Sequence, residues 1–121
     1  MKFFEDLGLS PEYLSSVVQM EYTEPTPIQL AAIPPLLEGR DLIGQAQTGT
    51  GKTAAFMLPL LQRLDPSTRG VKALILAPTR ELAKQVTDAG KALAQKSSHK
   101  IISVYGGQSY SIQLRALERG A

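Results

Sequence analysis

No stretch constrains this chain more than Ala46-Gln47-Thr48-Gly49-Thr50-Gly51-Lys52-Thr53. It stands between a short apolar run, Leu42-Ile43-Gly44, and a second apolar stretch, Ala54-Ala55-Phe56-Met57-Leu58, so the pattern is strand, glycine turn, helix. Gly49 and Gly51 let successive backbone N–H groups turn toward one centre at the start of a helix, which is what a phosphate cradle requires. Lys52 adds a point charge for the β and γ phosphates, and the Thr53 hydroxyl adds a ligand for Mg²⁺. One letter departs from the general pattern G-x-x-x-x-G-K-[ST], since Ala46 stands where its first glycine would be. The competing reading is a glycine-containing helix entry that holds no ligand, and the strand-and-helix context argues against it.

The 121 residues amount to one domain at most, with room for a modest core. The net charge of +2 does not announce nucleic acid, so a basic face has to be argued from particular residues. There is no cysteine, which excludes disulfides and cysteine metal sites and suits a reducing compartment. His99, the single histidine, lies in the polar stretch Lys96-Ser97-Ser98-His99-Lys100 and is expected in solvent rather than on a metal. The amino terminus turns acidic at Glu5-Asp6, too early for a signal peptide, and the longest apolar run is too short to span a bilayer, so a cytoplasmic, non-membrane protein is expected.

Along the chain, Ser10-Pro11-Glu12 predicts a helix start, with Leu14, Val17 and Val18 on one face up to about Met20. The adjacent Phe3 and Phe4 are expected as core anchors. Thr26, Pro27 and Gln29 form a capping box for a second helix, predicted to be interrupted at Pro34-Pro35. Gln29 has a second chemical use, because a glutamine amide can pair with the N6/N7 edge of adenine. After the glycine turn, a mostly buried helix is expected from Lys52 to Leu64, kinked at Pro59. Ala73-Leu74-Ile75-Leu76-Ala77 predicts a strand covered on both faces. Thr79 then caps a helix with the stripe Leu82, Val86, Ala89 and Leu93. Ile101-Ile102-Ser103-Val104-Tyr105 predicts a third strand ending at Gly106-Gly107. A last helix bears Tyr110, Leu114 and Leu117 and is closed by Gly120. Strand and helix three times over predict an α/β fold with a parallel sheet and flanking helices.

These motifs resemble, in order, those of the DEAD-box family of ATP-dependent RNA helicases. Pro25-Thr26-Pro27-Ile28-Gln29 is similar to its Q motif, residues 46–53 to its motif I, Pro78-Thr79-Arg80-Glu81-Leu82-Ala83 to motif Ia, and Gly106-Gly107 to the GG motif. Ala46 is the family's usual letter at its place, and Phe4 stands where the family has an isolated aromatic upstream. Glu21 departs from the glycine with which the Q motif more often begins. The resemblance covers nearly the whole chain and implies an incomplete first RecA-like domain of the P-loop NTPase class over residues 1–121. Within it, residues 1–38 form a Q-motif helical segment, and 39–121 hold the phosphate-loop, motif Ia and GG units.

It also implies an ATP and Mg²⁺ site in which Gln29 reads the adenine edge, Phe4 stacks on the base, and Pro27, Gln47, Thr48, Gly49, Thr50, Gly51, Lys52 and Thr53 surround the nucleotide. Lys52 and Thr53 carry the catalytic roles this chain holds, with Thr53 on the metal. Pro78, Thr79, Arg80, Gly106 and Gly107 are implied to lie along RNA, contacting phosphates and 2′-hydroxyls with little sequence specificity. The chain contains no Asp-Glu-Ala-Asp or Ser-Ala-Thr stretch and no second RecA-like domain, so it is expected to bind nucleotide without hydrolysing it. In the family the strands bearing those stretches lie between the phosphate-loop strand and the motif Ia strand. Their absence predicts a piece that is unstable, self-associates by strand exchange or closes the gap with another pairing. A stand-alone adenine-nucleotide switch or adaptor without helicase activity is the alternative, and a P-loop kinase or GTPase explains neither the Q motif nor the GG pair.

Overall fold

The computed structural model describes residues 3–121. A single 3-10 turn, Phe4–Leu7, precedes five α-helices: α1 (Pro11–Gln19), α2 (Pro27–Leu37), α3 (Lys52–Arg63), α4 (Arg80–Leu93) and α5 (Tyr110–Arg119). Pro11 opens α1 with Glu12 in its first turn, as the sequence predicts. The Ser10 side chain makes no capping bond, however; the Ser10 N–H donates to Gln62 Oε1 at 2.7 Å, and Gln62 Nε2 donates to the Gly8 carbonyl at 3.0 Å. One amide on α3 thereby fixes the turn that leads into α1.

Helix α2 corrects the expectation of a break, since it runs through both Pro34 and Pro35 to Leu37. The prolines leave the Leu30 and Ala31 carbonyls without intrahelical donors. The helix tolerates this because its first turn is capped on both sides and its Ala32–Ile33 face is buried against α3. Its end is closed by bonds to the prolines' own carbonyls, from Glu38 N to Pro34 O (3.2 Å) and from Arg40 N to Pro35 O (3.1 Å). Helix α3 runs through Pro59, itself buried, over nearly the range that the sequence predicts. On α4 the buried positions are Thr87, Gly90 and Leu93, with Val86 partly buried, while Leu82 from the expected stripe is 38% exposed. Gly90 lets α4 pack closely there, because a Cβ would stand 3.0 Å from both Met57 Cε and Ile101 Cδ1, and those side-chain ends would have to give way.

The core is helical. Phe4, Leu7, Leu9, Tyr13, Val17, Ile33, Met57, Leu58, Leu61 and Leu93 form one cluster joining the 3-10 turn with α1 to α4. Phe4 belongs to it, whereas Phe3 is exposed. His99 is not free in solvent, because its Nε2 lies 3.0 Å from the Leu61 carbonyl and ties the segment after α4 to α3.

The expected strands give the main correction. Residues 41–47, 71–77 and 101–105 are free of helix, but among the described residues none of them pairs into a β-ladder. Leu74 and Leu76 are 80% and 86% exposed and Ile43 is fully exposed, where a buried strand would hide them. These segments carry the apolar content of buried strands and have no neighbours to hydrogen-bond. Between the second and third of these segments, over Met57 and Leu61, lies an open trough of about 980 Å³. Helix α5 sits at its rim and contributes no buried residue.

Candidate nucleotide and RNA site

Two groups of the sequence-predicted residues come together. The first joins the start of α2 to the glycine turn before α3. Thr26 and Gln29 form the predicted capping box: Thr26 N donates to Gln29 Oε1 at 3.0 Å, and Gln29 N donates to Thr26 Oγ1 at 3.4 Å. Gln29 is 2% exposed, and its Nε2 also donates to the Gly51 carbonyl at 3.2 Å, across 22 positions of sequence. A Cβ on Gly51 would fall 2.4 Å from Gln29 Nε2 and 3.1 Å from Thr26 Oγ1, so glycine is required both by this contact and by a φ of +83°. Gly49 has a φ of +81° with open space around it. The turn is tightened further by a short bond from Thr50 Oγ1 to the Gln47 carbonyl.

The amide of Gln29 has two N–H donors and two acceptor lone pairs. The scaffold takes one of each, through Gly51 O and Thr26 N. One donor and one acceptor remain, the set that complements adenine's N7 acceptor and N6–H donor. Guanine presents two acceptors, N7 and O6, on the same edge, and the remaining glutamine oxygen opposes the second of them. The capping role and the base-reading role are therefore compatible in one side chain.

Lys52 is exposed in the first turn of α3 and Thr53 is half-buried beside it. Gln47, Thr48 and Gly49 are exposed, and so is Pro27 at the first position of α2. Phe4 is nearly fully buried and stacks on Tyr22, with ring centroids 6.5 Å apart and planes at 21°. Of that pair it is Tyr22, 37% exposed, that presents a ring to solvent. Tyr22 was not singled out from sequence; its position five residues before Pro27, in a polar stretch, was the available signal.

The second group joins the start of α4 to the turn after residues 101–105. Thr79 caps α4 by accepting from Leu82 N at 3.1 Å. The Arg80 guanidinium lies 5.9 Å from the Tyr105 ring centroid, and its Nη1 stands 3.2 Å from where a Gly107 Cβ would be. Gly107 has a φ of +83°, while Gly106 faces open space. Arg80 and Glu81 form a loose pair at 4.0 Å, both largely exposed. Arg80, Gly107 and Tyr105 thus share one surface, with Pro78 exposed just before it. Tyr105 and Gln113, which holds its backbone, were missed from sequence because each was assigned only to its element.

A glycine turn at the start of α3, with the Gln29 amide clamped onto it, is the kind of helix N-terminus at which anions are bound. Residues 26–121 match the model of the DEAD/DEAH box helicase family, and the chain belongs to that family. It is 51% identical to the ATP-dependent RNA helicase DeaD of Escherichia coli (strain K12), over 97% of this chain and 19% of the relative. Among solved structures it is similar to the RNA helicase Prp28 from Chaetomium thermophilum bound to ADP, with 47% identity and a TM-score of 0.90, over all of this chain and 31% of that one. It is also similar to S. cerevisiae Dbp5 bound to RNA and ADP BeF3, with 36% identity and a TM-score of 0.79, over 90% of this chain and 30% of that one. The chain spans about a fifth of the length of the curated relatives it matches. Among the described residues no helix is long and apolar enough to cross a membrane.

Proposed function

We propose that this chain is the adenine-nucleotide-binding part of an ATP-dependent RNA helicase. The observation that carries the reading is Gln29, held on both amide atoms against the glycine turn and left with the donor and acceptor that complement adenine. Because the amide is buried, its orientation is set before a base arrives, and no ordering cost is added on binding. The exposed ring of Tyr22, backed by Phe4, is offered as the stacking face for the base, a change from assigning that face to Phe4 itself.

The residues present fit ATP and Mg²⁺. Two left-handed glycines turn backbone N–H groups toward the start of α3, where the helix dipole favours an anion. Lys52 supplies an exposed positive charge there, and the Thr53 hydroxyl is the metal ligand. Bound Mg²⁺ would neutralise phosphate charge during transfer. This chain's own contribution is to bind and orient the nucleotide; the acids that position water and metal lie in stretches that it does not contain, so on its own it binds without hydrolysing.

Pro78, Thr79, Arg80, Gly106 and Gly107 are the RNA-facing residues in this reading. Arg80 contacts phosphate, with the open backbone of the glycine pair beside it. The Arg80–Tyr105–Gly107 surface favours this over a stand-alone nucleotide switch, which has no use for it. In the same reading the three extended segments are strands of a parallel RecA-like sheet whose intervening strands come from the part of the relatives that this chain does not span.

The test is ATP turnover by the complete protein that carries this segment, with and without RNA. RNA-stimulated hydrolysis is expected, and Lys52→Ala is expected to abolish it while leaving the thermal unfolding profile in place. Wild-type turnover by that variant would overturn the role of Lys52, and turnover indifferent to RNA would favour the switch reading.

A further inference from the structure

Helix α5 has no buried residue, yet it is not loose, because one side chain ties it back to the preceding segment. Gln113 Oε1 accepts from Tyr105 N at 3.0 Å, and Gln113 Nε2 donates to Tyr105 O at 3.0 Å. The same Nε2 donates to Gln108 O at 3.4 Å. The amide thus pairs with Tyr105 as a neighbouring strand would and reaches across to the far side of the turn, so that Gly106 and Gly107 lie between its anchoring points. The turn needs such an anchor. Glycine backbones are the least restricted of all, a Cβ on Gly106 would meet nothing within 4 Å, and among the described residues, 101–105 have no strand partner to hold them.

What the clamp holds is the functional surface. Tyr105, bonded to Gln113 through both backbone atoms, carries the ring on which Arg80 rests, and Gly107 lies against the Arg80 guanidinium. We propose that Gln113 is the positioning residue of the RNA-facing surface: by clamping Tyr105 and Gln108 it sets the glycine pair and the Arg80 guanidinium in one register for a nucleic-acid backbone. This rests on the RNA reading of Arg80 and the glycine pair given above. Gln113 touches no RNA in this account and acts through the turn.

The test uses the complete protein and a single-stranded oligouridine RNA. The RNA concentration giving half-maximal stimulation of ATP hydrolysis is measured alongside the rate at saturating RNA and the affinity for ADP. Gln113→Leu removes up to three bonds and is expected to raise the half-maximal RNA concentration by about tenfold or more. The saturated rate and the ADP affinity should stay near wild type. Gln113→Glu keeps an acceptor for Tyr105 N but sets a carboxylate against the Tyr105 and Gln108 carbonyls, so a clear rise is expected there too, and it serves as the second variant if Gln113→Leu folds poorly. Combined with Arg80→Ala, Gln113→Leu should add less than its separate effect, because both act through one surface. A half-maximal RNA concentration unchanged in both Gln113 variants, with Arg80→Ala clearly weakened, would overturn the proposal and leave the RNA reading intact. Parallel losses in ADP affinity and RNA response would also overturn it, as a purely structural role. If Arg80→Ala and Gly107→Ala leave RNA response unchanged, the RNA reading itself falls, and the role of Gln113 with it.

Discussion

Three glutamines organise this chain, each using the same property of the amide. Gln62 holds the turn before α1, Gln29 holds the glycine turn before α3, and Gln113 holds the turn before α5. In each case a donor and an acceptor on one planar group replace the backbone partner that a loop otherwise lacks. Sequence made only Gln29 legible, because it falls in a capping box; the long-range bonds of Gln62 and Gln113 leave no local pattern. The glycines of the phosphate turn were legible as turn residues, but the crowding of Gly51 by Gln29 was not. That crowding predicts unequal costs. In the complete protein Gly49→Ala should destabilise by about 1–2 kcal/mol, from backbone strain alone. Gly51→Ala should cost about 2–4 kcal/mol, because strain and a clash with Gln29 add. Urea denaturation of both variants checks the order, and equal costs would mean that Gln29 yields freely.

Helices were the readable elements, since apolar spacing and caps are local signals. Pro11, Thr26, Thr79 and Gly120 mark boundaries that the structure keeps. The proline pair Pro34-Pro35 misled, because it lies in a helix whose packing outweighs the lost bonds. Burial on α1 has a pH consequence. Desolvation raises the Tyr13 hydroxyl above its ordinary value of 10.0, the Glu12 charge adds to this, and a Ser97 hydrogen bond offsets part of it. The sign follows from the neutral form being favoured in the fold. The contribution is fully present below the unfolded-state value and is lost as pH rises through the higher folded value. Alkaline denaturation should therefore come later in Tyr13→Phe than in the wild type, provided the substitution is otherwise neutral; coincident curves would contradict this. The elements also differ in how well they are held. Hydrogen exchange on residues 1–121 should find α3 amides the most protected and α5 amides, apart from those near Gln113, among the least.

On the scale of the molecule, the helical core forms within this chain and the sheet does not. The apolar runs of the three extended segments predicted strands, but pairing is a property of neighbours, and among the described residues none of the three is paired. Exposed Leu74, Leu76, Val71 and Val104 beside unpaired backbone predict that residues 1–121, prepared alone, associate through these edges at micromolar concentration. Sedimentation velocity checks this, and a monomer that persists at high concentration would contradict it. The central claim concerns the nucleotide. Titration of the complete protein with ADP and with GDP tests it most directly, because the free donor and acceptor of Gln29 complement the N6/N7 edge of adenine and not the O6/N7 edge of guanine. The account predicts that ADP binds about 5- to 150-fold more tightly, the range that a bidentate base contact provides, and that Gln29→Ala narrows the difference. Equal affinities for ADP and GDP in the wild-type protein would contradict it.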